Sequence, residues 1–346
     1  MAARHASAHA AGVRSGATRR SSGRHWPGGS VKRSRAADRR FAGLRAAAPY
    51  VRLFRERIFV LKVGGEVLQS AGRIDALMEQ VGILNSLGVR LVLVHGGGPQ
   101  STELARRLGH EPRMVAGRRV TRSEDLRVAA RVLSGEINTA LLGACRKEGI
   151  HAVGVSGVDA GLVTATRRPP VHMEGEGPDP VDFGFVGDIE AVDPSSLHVF
   201  LDQGWVPVVS PLSADAEGRL LNINADTVAS ALARALEATK LVFTMSAPGI
   251  LRDLEDPATL ISYLDLAGLR ELREQGVLAQ GMLAKAMAIE SAIEGGVPRV
   301  HLISGSARDS LLREIFTNEG SGTLIVRSVG TLSSDEQQAG EGGKEA

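Results

Sequence analysis

Short apolar segments and segments with helical spacing alternate along most of the chain. Residues 58–62 and 90–94 are mainly apolar runs that end in glycines, and residues 73–87 between them repeat apolar side chains at helical intervals. Apolar runs with little internal alternation are typical of parallel strands that are covered on both faces. The pattern therefore predicts an α/β fold, a three-layer αβα sandwich with a mostly parallel central sheet.

The same rhythm continues to about residue 327. It predicts further strands near residues 151–156, 206–210, 240–245, 299–304 and 323–327. It predicts further helices near residues 99–108, 123–147, 194–203, 225–237, 265–275, 281–295 and 308–317. Residues 162–192 interrupt it with Pro, Gly and short β-like pieces, which indicates an inserted hairpin region. Residues 41–54 have the pattern of a short amphipathic helix that Pro49 should disturb.

The two ends of the chain differ from this folded body, residues 41–327. Residues 1–40 lack apolar periodicity, and ten Arg and one Lys in residues 1–50 face a single acid, Asp38. A disordered basic leader is predicted there, and a disordered tail over residues 328–346. An Arg-rich, Ser-rich, acid-poor leader also has the composition of an organellar transit peptide. A flexible extension, or a start codon placed too far upstream, is favoured, and with it a cytoplasmic location.

Composition makes several classes of function less probable. Aromatic residues form 3% of the chain, which is few for a protein that stacks nucleic-acid bases. No apolar run approaches the ~20 residues of a membrane-spanning helix. The single cysteine, Cys145, permits no intrachain disulfide, suits a reducing compartment, and is interpreted as a core residue.

Two predicted strands end in glycine clusters, Lys-Val-Gly-Gly at residues 62–65 and His-Gly-Gly-Gly-Pro at residues 95–99. Ligands of open parallel sheets bind beyond the carboxyl ends of the strands, where glycine lets backbone N–H groups approach an anion. Pro99 suits the start of a helix, whose positive end would add to this potential. The sequence contains no GxxxxGK[ST], no GxGxxG after a strand and no GxSxG, so P-loop, dinucleotide-binding and esterase interpretations fail.

Charged residues at the start of two predicted helices complete a possible phosphoryl-transfer site. Asp226 ends the segment Asn-Ile-Asn-Ala-Asp, and Lys285 ends Gly-Met-Leu-Ala-Lys. Such transfer needs positive charge and fixed alignment, which Lys62, Lys285 and an orienting Asp226 would supply. The residues alone leave open that Lys285 is a surface charge and that Asp226 only complements a helix dipole.

The ordered set of these segments resembles the amino-acid kinase superfamily, and within it the N-acetylglutamate kinases of the arginine-sensitive type. The resemblance covers roughly residues 48–327 and rests on residues 62–65, 95–100, 117–121, 155–157, 222–226 and 281–285. It implies ATP-dependent phosphorylation of the side-chain carboxylate of N-acetyl-L-glutamate in arginine biosynthesis, with Mg²⁺ and without a metal held by the protein. It also implies an N-lobe, about residues 55–210, for the acylated amino acid and a C-lobe, about residues 211–327, for ATP.

The resemblance also implies roles for individual residues. Lys62 and Lys285 would stabilise the transferring phosphoryl group, and Asp226 would orient both. Arg119 would bind the α-carboxylate of the substrate, and Asn222 would contact the same molecule. Glycines of the two turns would supply backbone donors, to phosphates from Gly64, Gly65 and Gly96, and to the substrate from Gly97 and Gly98.

Control by arginine is a further implication. Residues 48–54 are similar to the N-terminal helix that joins dimers into hexamers in arginine-inhibited members, and His301, Glu314 and Gly320 match arginine-site positions. A homo-oligomer, dimer or hexamer, is therefore expected, without nucleic-acid or membrane partners. The alternative for the helix is a simple cover for a sheet edge.

Three segments depart from the family pattern. Ser246 replaces an acidic residue expected beside the nucleotide, Val158 replaces a common lysine while Asp159 is kept, and residues 304–306 read Ser-Gly-Ser where Asp-Gly-Arg is usual. Two alternative functions stay open: a kinase for another acylated or carrier-linked amino acid such as aminoadipate, and a non-catalytic amino-acid-binding regulatory domain. The second is disfavoured because both lysines are present and the chain ends soon after Val326.

Overall fold

A computed structural model of the chain describes residues 35–173, 177–253, 255–278 and 280–331. The chain divides into two units, Met1–Gly43 and Leu44–Ala346. In the first unit the described residues are helical, and the second unit contains the sheets. Within the described ranges, no helix is long and apolar enough to cross a membrane.

Helices and strands alternate along the described residues, and the first helix begins before the boundary at Leu44. The α-helices are α1 (Arg35–Phe54), α2 (Ala71–Ser86), α3 (Gly98–Arg107), α4 (Ser123–Ala130), α5 (Asn138–Lys147), α6 (Ser195–Asp202), α7 (Ala225–Ala235), α8 (Leu266–Glu274), α9 (Gln280–Glu294) and α10 (Ser310–Phe316). The strands are β1 (Ile58–Val63), β2 (Arg90–His95), β3 (Met114–Val115), β4 (Arg118–Arg119), β5 (Ala152–Ser156), β6 (Val163–Arg167), β7 (Gly187–Val192), β8 (Val206–Ser210), β9 (Leu212–Ala214), β10 (Leu220–Asn222), β11 (Lys240–Met245), β12 (Tyr263–Asp265), β13 (Val300–Ser304) and β14 (Thr323–Val326).

An eight-stranded sheet forms the centre, in the order β12-β14-β13-β11-β1-β2-β8-β5. The strands from β13 to β5 in that order are parallel, while β14 runs antiparallel to β13 and pairs in parallel with β12. The carboxyl ends of β1 and β2 lie side by side because Val63 pairs with His95. The two glycine turns are therefore neighbours at one edge of the sheet.

Side chains of β1 pack alternately into two cores. Val60 belongs to a cluster with residues of α7 and α9, whereas Phe59 and Leu61 belong to a cluster with residues of α2 and α5. Because successive strand residues face opposite sides of a sheet, helices cover both faces. The predicted three-layer αβα sandwich with a mostly parallel sheet is confirmed.

Smaller β elements extend from this framework. Strands β6 and β7 pair antiparallel, as predicted for the inserted hairpin region, and belong to a four-stranded sheet of order β10-β9-β6-β7. The two-residue strands β3 and β4 form another hairpin, which the sequence did not predict because such short pieces carry no periodicity.

Two helical predictions need correction. Helix α1 runs unbroken through Pro49 and starts at Arg35, inside the segment 1–40 that was predicted to be disordered; residues 1–34 and 332–346 lie outside the described residues. The helix predicted over residues 123–147 is in fact three pieces. A π-helical segment, Arg131–Ile137, joins α4 to α5, and this one-residue widening is invisible in apolar spacing.

Candidate active site

Most of the predicted catalytic and substrate residues line one cleft of about 1320 Å³. The walls come from the glycine turns after β1 and β2, the β3–β4 hairpin, and the first turns of α7 and α9. Among the predicted residues they contain Lys62, Gly65, Gly96, Gly97, Gly98, Arg119, Asn222 and Asp226. The geometry therefore joins segments that are far apart in the sequence at the edge predicted for ligand binding.

A cluster of two lysines and one carboxylate adjoins the cleft, which Lys62 and Asp226 line. Lys62 Nζ on β1 is 2.8 Å from Asp226 Oδ1, and Lys285 Nζ on α9 donates to Asp226 Oδ2 at 2.9 Å. All three side chains are close to fully buried, and the Lys285 ammonium also lies 4.7 Å from the ring centroid of Phe243. The surface-charge alternative for Lys285 is therefore wrong.

Local structure fixes the carboxylate. Asn224 caps α7, and its Oδ1 accepts hydrogen bonds from the backbone N–H of Asp226 at 2.7 Å and of Thr227 at 3.3 Å. Asp226 thus stands in the first turn of the helix, at its positive end, with both carboxylate oxygens directed to lysines. Asn224 was part of the motif recognised in the sequence, but its capping role was not predicted.

The electrostatics of the cluster favour a bound anion. Burial alone would raise the pKa of Asp226, but the charges of Lys62 and Lys285 outweigh it and lower this pKa to about 2. Burial lowers the pKa of Lys285, and Lys62 acts in the same direction, while Asp226 opposes both. Two lysine side chains beside one carboxylate give the cluster a formal excess of one positive charge, which an incoming phosphoryl group can neutralise.

The glycine turns differ in what their N–H groups do. The N–H of Gly64 donates to Thr244 Oγ1 at 2.9 Å, and the N–H of Gly96 donates to Val63 O at 3.1 Å. These two groups are engaged within the sheet, contrary to the donor role that the resemblance implies for them. Gly65, Gly96, Gly97 and Gly98 all line the cleft, whereas Gly64 is not among its lining residues.

Glycine is required at both turns for close packing. A Cβ at Gly64 would lie 2.7 Å from the carbonyl oxygen of Thr244, and one at Gly97 would lie 2.6 Å from methyl carbons of Leu133 and Ile137. Both distances are shorter than a carbon atom can tolerate. Thr244 was not identified from the sequence, because a single threonine in an apolar strand gives no functional signal.

Arg119 and Asn222 stand on the other wall of the cleft. Arg119 Nη2 donates to Gly98 O at 3.0 Å and to Thr102 Oγ1 at 2.6 Å, and Asn222 Nδ2 donates to Thr121 Oγ1 at 3.3 Å. Arg119 is half-buried; burial lowers its pKa and the charge of Asp125 opposes this. The other N–H groups of the Arg119 guanidinium remain available to bind a carboxylate at this wall of the cleft.

The three predicted arginine-site residues meet in a second cavity of about 570 Å³, lined also by Tyr50 of α1 and by Lys240. His301 Nδ1 is 2.7 Å from Glu314 Oε1, and its Nε2 is 2.9 Å from Lys240 Nζ. Burial, followed by the charge of Lys240, lowers the pKa of His301 to about 4, so the ring is neutral near pH 7. A Cβ at Gly320 would lie 2.9 Å from Glu314 Oε2.

Lys240 was missed in the sequence, although a lysine at the start of a buried apolar strand is a usable signal. Only 3% of it is exposed, and its ammonium lies 5.1 Å from the ring centroid of Phe54. A buried lysine is rare unless it is paired. Its position beside His301 adds positive charge to the second cavity.

Two of the departures from the family pattern, Ser246 and Ser304, have different surroundings in the structure. Ser246 is exposed directly after β11. The hydroxyl of Ser304 accepts from the backbone N–H of Ser306 at 3.3 Å and of Ala307 at 3.1 Å. Serine here serves as the turn-capping acceptor that an aspartate would otherwise be.

The sequence model of the amino acid kinase family matches residues 57–304. This range contains Lys62, Asp226 and Lys285 and covers most of the described sheet. The chain belongs to the amino acid kinase family.

Individual members and neighbours of this family agree over most of the chain. An acetylglutamate kinase from Myxococcus xanthus (strain DK1622) is 45% identical over 290 residues, which cover 83% of this chain and 94% of that protein. An N-acetylglutamate synthase from Neisseria gonorrhoeae, solved with coenzyme A and N-acetyl-glutamate, has a TM-score of 0.72 and 30% identity over 86% of this chain and 67% of its own. The same synthase with coenzyme A and L-arginine gives a TM-score of 0.70 and 29% identity, covering 83% of this chain and 65% of its own.

Proposed function

We propose that this chain transfers the γ-phosphoryl group of ATP to the side-chain carboxylate of N-acetyl-L-glutamate, a step of arginine biosynthesis. The observation that carries the proposal is the pairing of Lys62 and Lys285 with the two oxygens of Asp226, in a cleft that also contains Arg119. The identity of 45% to an acetylglutamate kinase supports the choice of substrate.

The far wall of the cleft would hold the fixed end of the substrate. Arg119 would pair with the α-carboxylate through the N–H groups that Thr102 and Gly98 do not occupy, and Asn222 would contact the same molecule. The lobe of about residues 55–210 would thus bind the acylated amino acid, and that of about residues 211–327 would bind ATP. The reacting carboxylate would then meet the backbone donors of Gly97 and Gly98.

In the transfer step an oxygen of the substrate carboxylate attacks the γ-phosphorus, and the bond from that phosphorus to the β–γ bridging oxygen breaks. An acyl phosphate forms and ADP leaves with the electron pair. Lys62 and Lys285 stabilise the charge that builds up on the moving phosphoryl oxygens, while Asp226 keeps both ammonium groups in place. Preorganised charges of this kind need no reorientation when the reaction occurs.

Mg²⁺ fits this arrangement as part of the nucleotide complex. Among the described residues, no group of three or more His, Cys, Asp or Glu could hold a metal, and the oxygens of Asp226 face lysines. The ion would therefore be held mainly by phosphate oxygens and water, as Mg²⁺ prefers. When bound, it neutralises phosphate charge.

The second cavity would bind arginine as an inhibitor. The carboxylate of Glu314 suits a guanidinium, and the ammonium of Lys240 suits an α-carboxylate. Tyr50 would couple the site to α1, and through it to a dimeric or hexameric assembly in the cytoplasm. If arginine neither slows turnover nor raises the melting temperature of the wild type, or if Glu314→Gln keeps both responses at wild-type strength, this part of the proposal fails.

A substrate panel tests the activity itself. The chain is incubated with ATP, Mg²⁺ and either N-acetyl-L-glutamate, N-acetyl-L-aminoadipate, L-glutamate or no acceptor, and the acyl phosphate is trapped with hydroxylamine. We expect product with N-acetyl-L-glutamate at the highest kcat/KM. A higher kcat/KM with the aminoadipate derivative would identify that compound as the substrate in place of N-acetyl-L-glutamate. If no acceptor gives product, a regulatory binding role is favoured.

A further inference from the structure

A buried polar pair supports the second glycine turn from behind. His95, the last residue of β2, is 0% exposed, and its Nδ1 lies 3.0 Å from the carbonyl oxygen of the next residue, Gly96. Its Nε2 lies 3.3 Å from Nδ2 of Asn138, the first residue of α5. The same Nδ2 donates to Val208 O at 2.9 Å.

The partners of this pair determine where the protons are. A backbone carbonyl such as Val208 O can only accept, so the nitrogen of the Asn138 amide must face it. That nitrogen then also donates to Nε2 of His95, which must be the unprotonated ring nitrogen. The proton of the neutral ring is therefore on Nδ1, where it is donated to the carbonyl of Gly96.

The ring stays neutral under ordinary conditions. Burial lowers the pKa of His95 to about 4; the bond to Gly96 opposes the shift, and the charge of Lys62 adds to it. A second proton would also place two donors against each other, because Asn138 already points an N–H at Nε2.

This arrangement holds both backbone polar groups of Gly96, which belong to the two peptide groups on either side of it. The N–H of Gly96 donates to Val63 O on β1, and its carbonyl is bound by the His95 ring. A carbonyl turned into the cleft would repel a phosphate, whereas the N–H groups of Gly97 and Gly98 would attract it. Fixing the Gly96 carbonyl thus decides which polar groups of the turn the cleft presents.

The π-helical segment positions Asn138 next to His95 and the second glycine turn. Leu133 and Ile137 of this segment fill the space against Gly97, and Asn138 follows directly. On its other side Asn138 Oδ1 would lie 2.0 Å from a Cβ at Gly154 of β5, so that glycine leaves room for the amide. π-helical turns often occur at functional sites because the extra residue shifts the register of the side chains that follow.

We propose that Asn138 is a positioning residue that selects the Nδ1–H form of His95 and so orients the Gly96–Gly98 turn toward the transferring phosphoryl group. The proposal rests on the proposed kinase activity. Asn138 is not among the residues that line the cleft, so it would act through His95 and the backbone of the turn.

Asn138→Asp tests this role, because it keeps the size of the side chain and removes both of its N–H donors. Nε2 of His95 then faces a carboxylate acceptor in place of a donor and takes up a proton, and in the neutral Nε2–H ring Nδ1 no longer donates to the Gly96 carbonyl. We expect kcat to fall about 10- to 100-fold while KM for ATP changes less, because the turn acts most strongly on charge that develops during transfer. In ¹⁵N NMR of the histidine rings, assigned with His95→Gln, the wild type shows a protonated Nδ1, and Asn138→Asp shows protonation at Nε2.

Gln80→Glu is the matched control. Gln80 is also buried, and its Oε1 accepts from the backbone of Leu311 and Leu312, away from the cleft. We expect this variant to lower the melting temperature and leave kcat unchanged.

Several results would overturn the proposal: an Nε2-protonated His95 in the wild type, a folded Asn138→Asp variant with kcat within about twofold of wild type, or equal losses of kcat in Asn138→Asp and Gln80→Glu. The tautomer is measured without substrate. If the wild type phosphorylates no acceptor, the result counts against the kinase activity, and the ring tautomer of His95 still tests the positioning role. If Asn138→Asp fails to fold, the tautomer in the wild type still tests that role.

Discussion

Lys62 on β1 and Lys285 on α9 hold one carboxylate between them, each bound to a different oxygen of Asp226 at 2.8 and 2.9 Å. Each ammonium group already lies at the usual distance of a charge-assisted contact from the oxygen that it faces. Their separation is therefore fixed before any nucleotide binds. Such preorganisation is the main source of catalysis where the protein supplies only charge and alignment.

Removing one of these charges should abolish most of the turnover. For Lys285→Ala we expect kcat to fall about 10²- to 10³-fold, because one preorganised donor to the transferring group is lost. Lys147→Ala is the control, since Lys147 also pairs with an aspartate, Asp75 at 2.6 Å, but on the surface. Acyl phosphate formation with both variants measures the effect, and equal activity of the two would contradict the role of Lys285.

The ion pairs of Asp226 should stabilise the fold only above mildly acidic pH. Its pKa is lowered from 3.8 to about 2 in the folded chain, so the unfolded chain takes up a proton first as pH falls. The stabilisation is therefore complete above about pH 5 and is lost progressively from about pH 4 to about pH 2. We expect the advantage of wild type over Asp226→Asn in urea unfolding to shrink over that window; a constant difference from neutral pH to about pH 3 would be evidence against it.

Arg119 should affect substrate binding more than turnover. Arg119→Lys keeps the charge but removes the planar pair of donors, so KM for N-acetyl-L-glutamate should rise about tenfold with a smaller change in kcat. Arg106→Lys, in an exposed pair with Glu111, is the control and should leave both constants unchanged. A KM for Arg119→Lys equal to that of the control would place the α-carboxylate elsewhere.

Gly64 should tolerate no side chain. In Gly64→Ala the new methyl group would lie 2.7 Å from the carbonyl oxygen of Thr244, so β1 or β11 must move, at a cost of about 1–3 kcal/mol. Gly143→Ala is the opposite case, because a Cβ there meets nothing within 4 Å in the middle of α5. We expect a lower melting temperature and lower kcat for the first and a higher melting temperature for the second; a thermally neutral Gly64→Ala would refute the packing argument.

Much of this architecture was predictable because it depends on local patterns. The apolar runs at β1 and β2 and the glycines after them indicated both the parallel sheet and the edge where the site lies. Lys62 and Asp226 were predicted from the ordered set of motifs to which both belong, since the glycine turn after Lys62 is a weak signal alone. The boundaries of α7 and α9 followed from apolar spacing with errors of one or two residues.

The remainder depends on contacts between distant residues, which no local pattern contains. Asn138 meets His95 only after β2 and α5 have packed together. In the π-helical segment before Asn138 each backbone hydrogen bond spans one residue more than in an α-helix, a difference that is too small to detect in apolar spacing. Helix α1 passes Pro49 although an interior proline removes one backbone donor and crowds the preceding turn; Tyr50 and Phe54, which follow it, pack against or in a core cluster.

The wide spacing of the central cluster along the chain affects how activity can arise during synthesis. Lys62, Asp226 and Lys285 belong to β1, α7 and α9, so every contiguous fragment that stops before α9 lacks one of the phosphoryl-stabilising charges. An emerging chain can form the first strands of its sheet early, but by the proposed mechanism it lacks the Lys285 charge until α9 has left the ribosome and docked. Partly made chains are thus expected to transfer phosphoryl groups far more slowly than the complete chain.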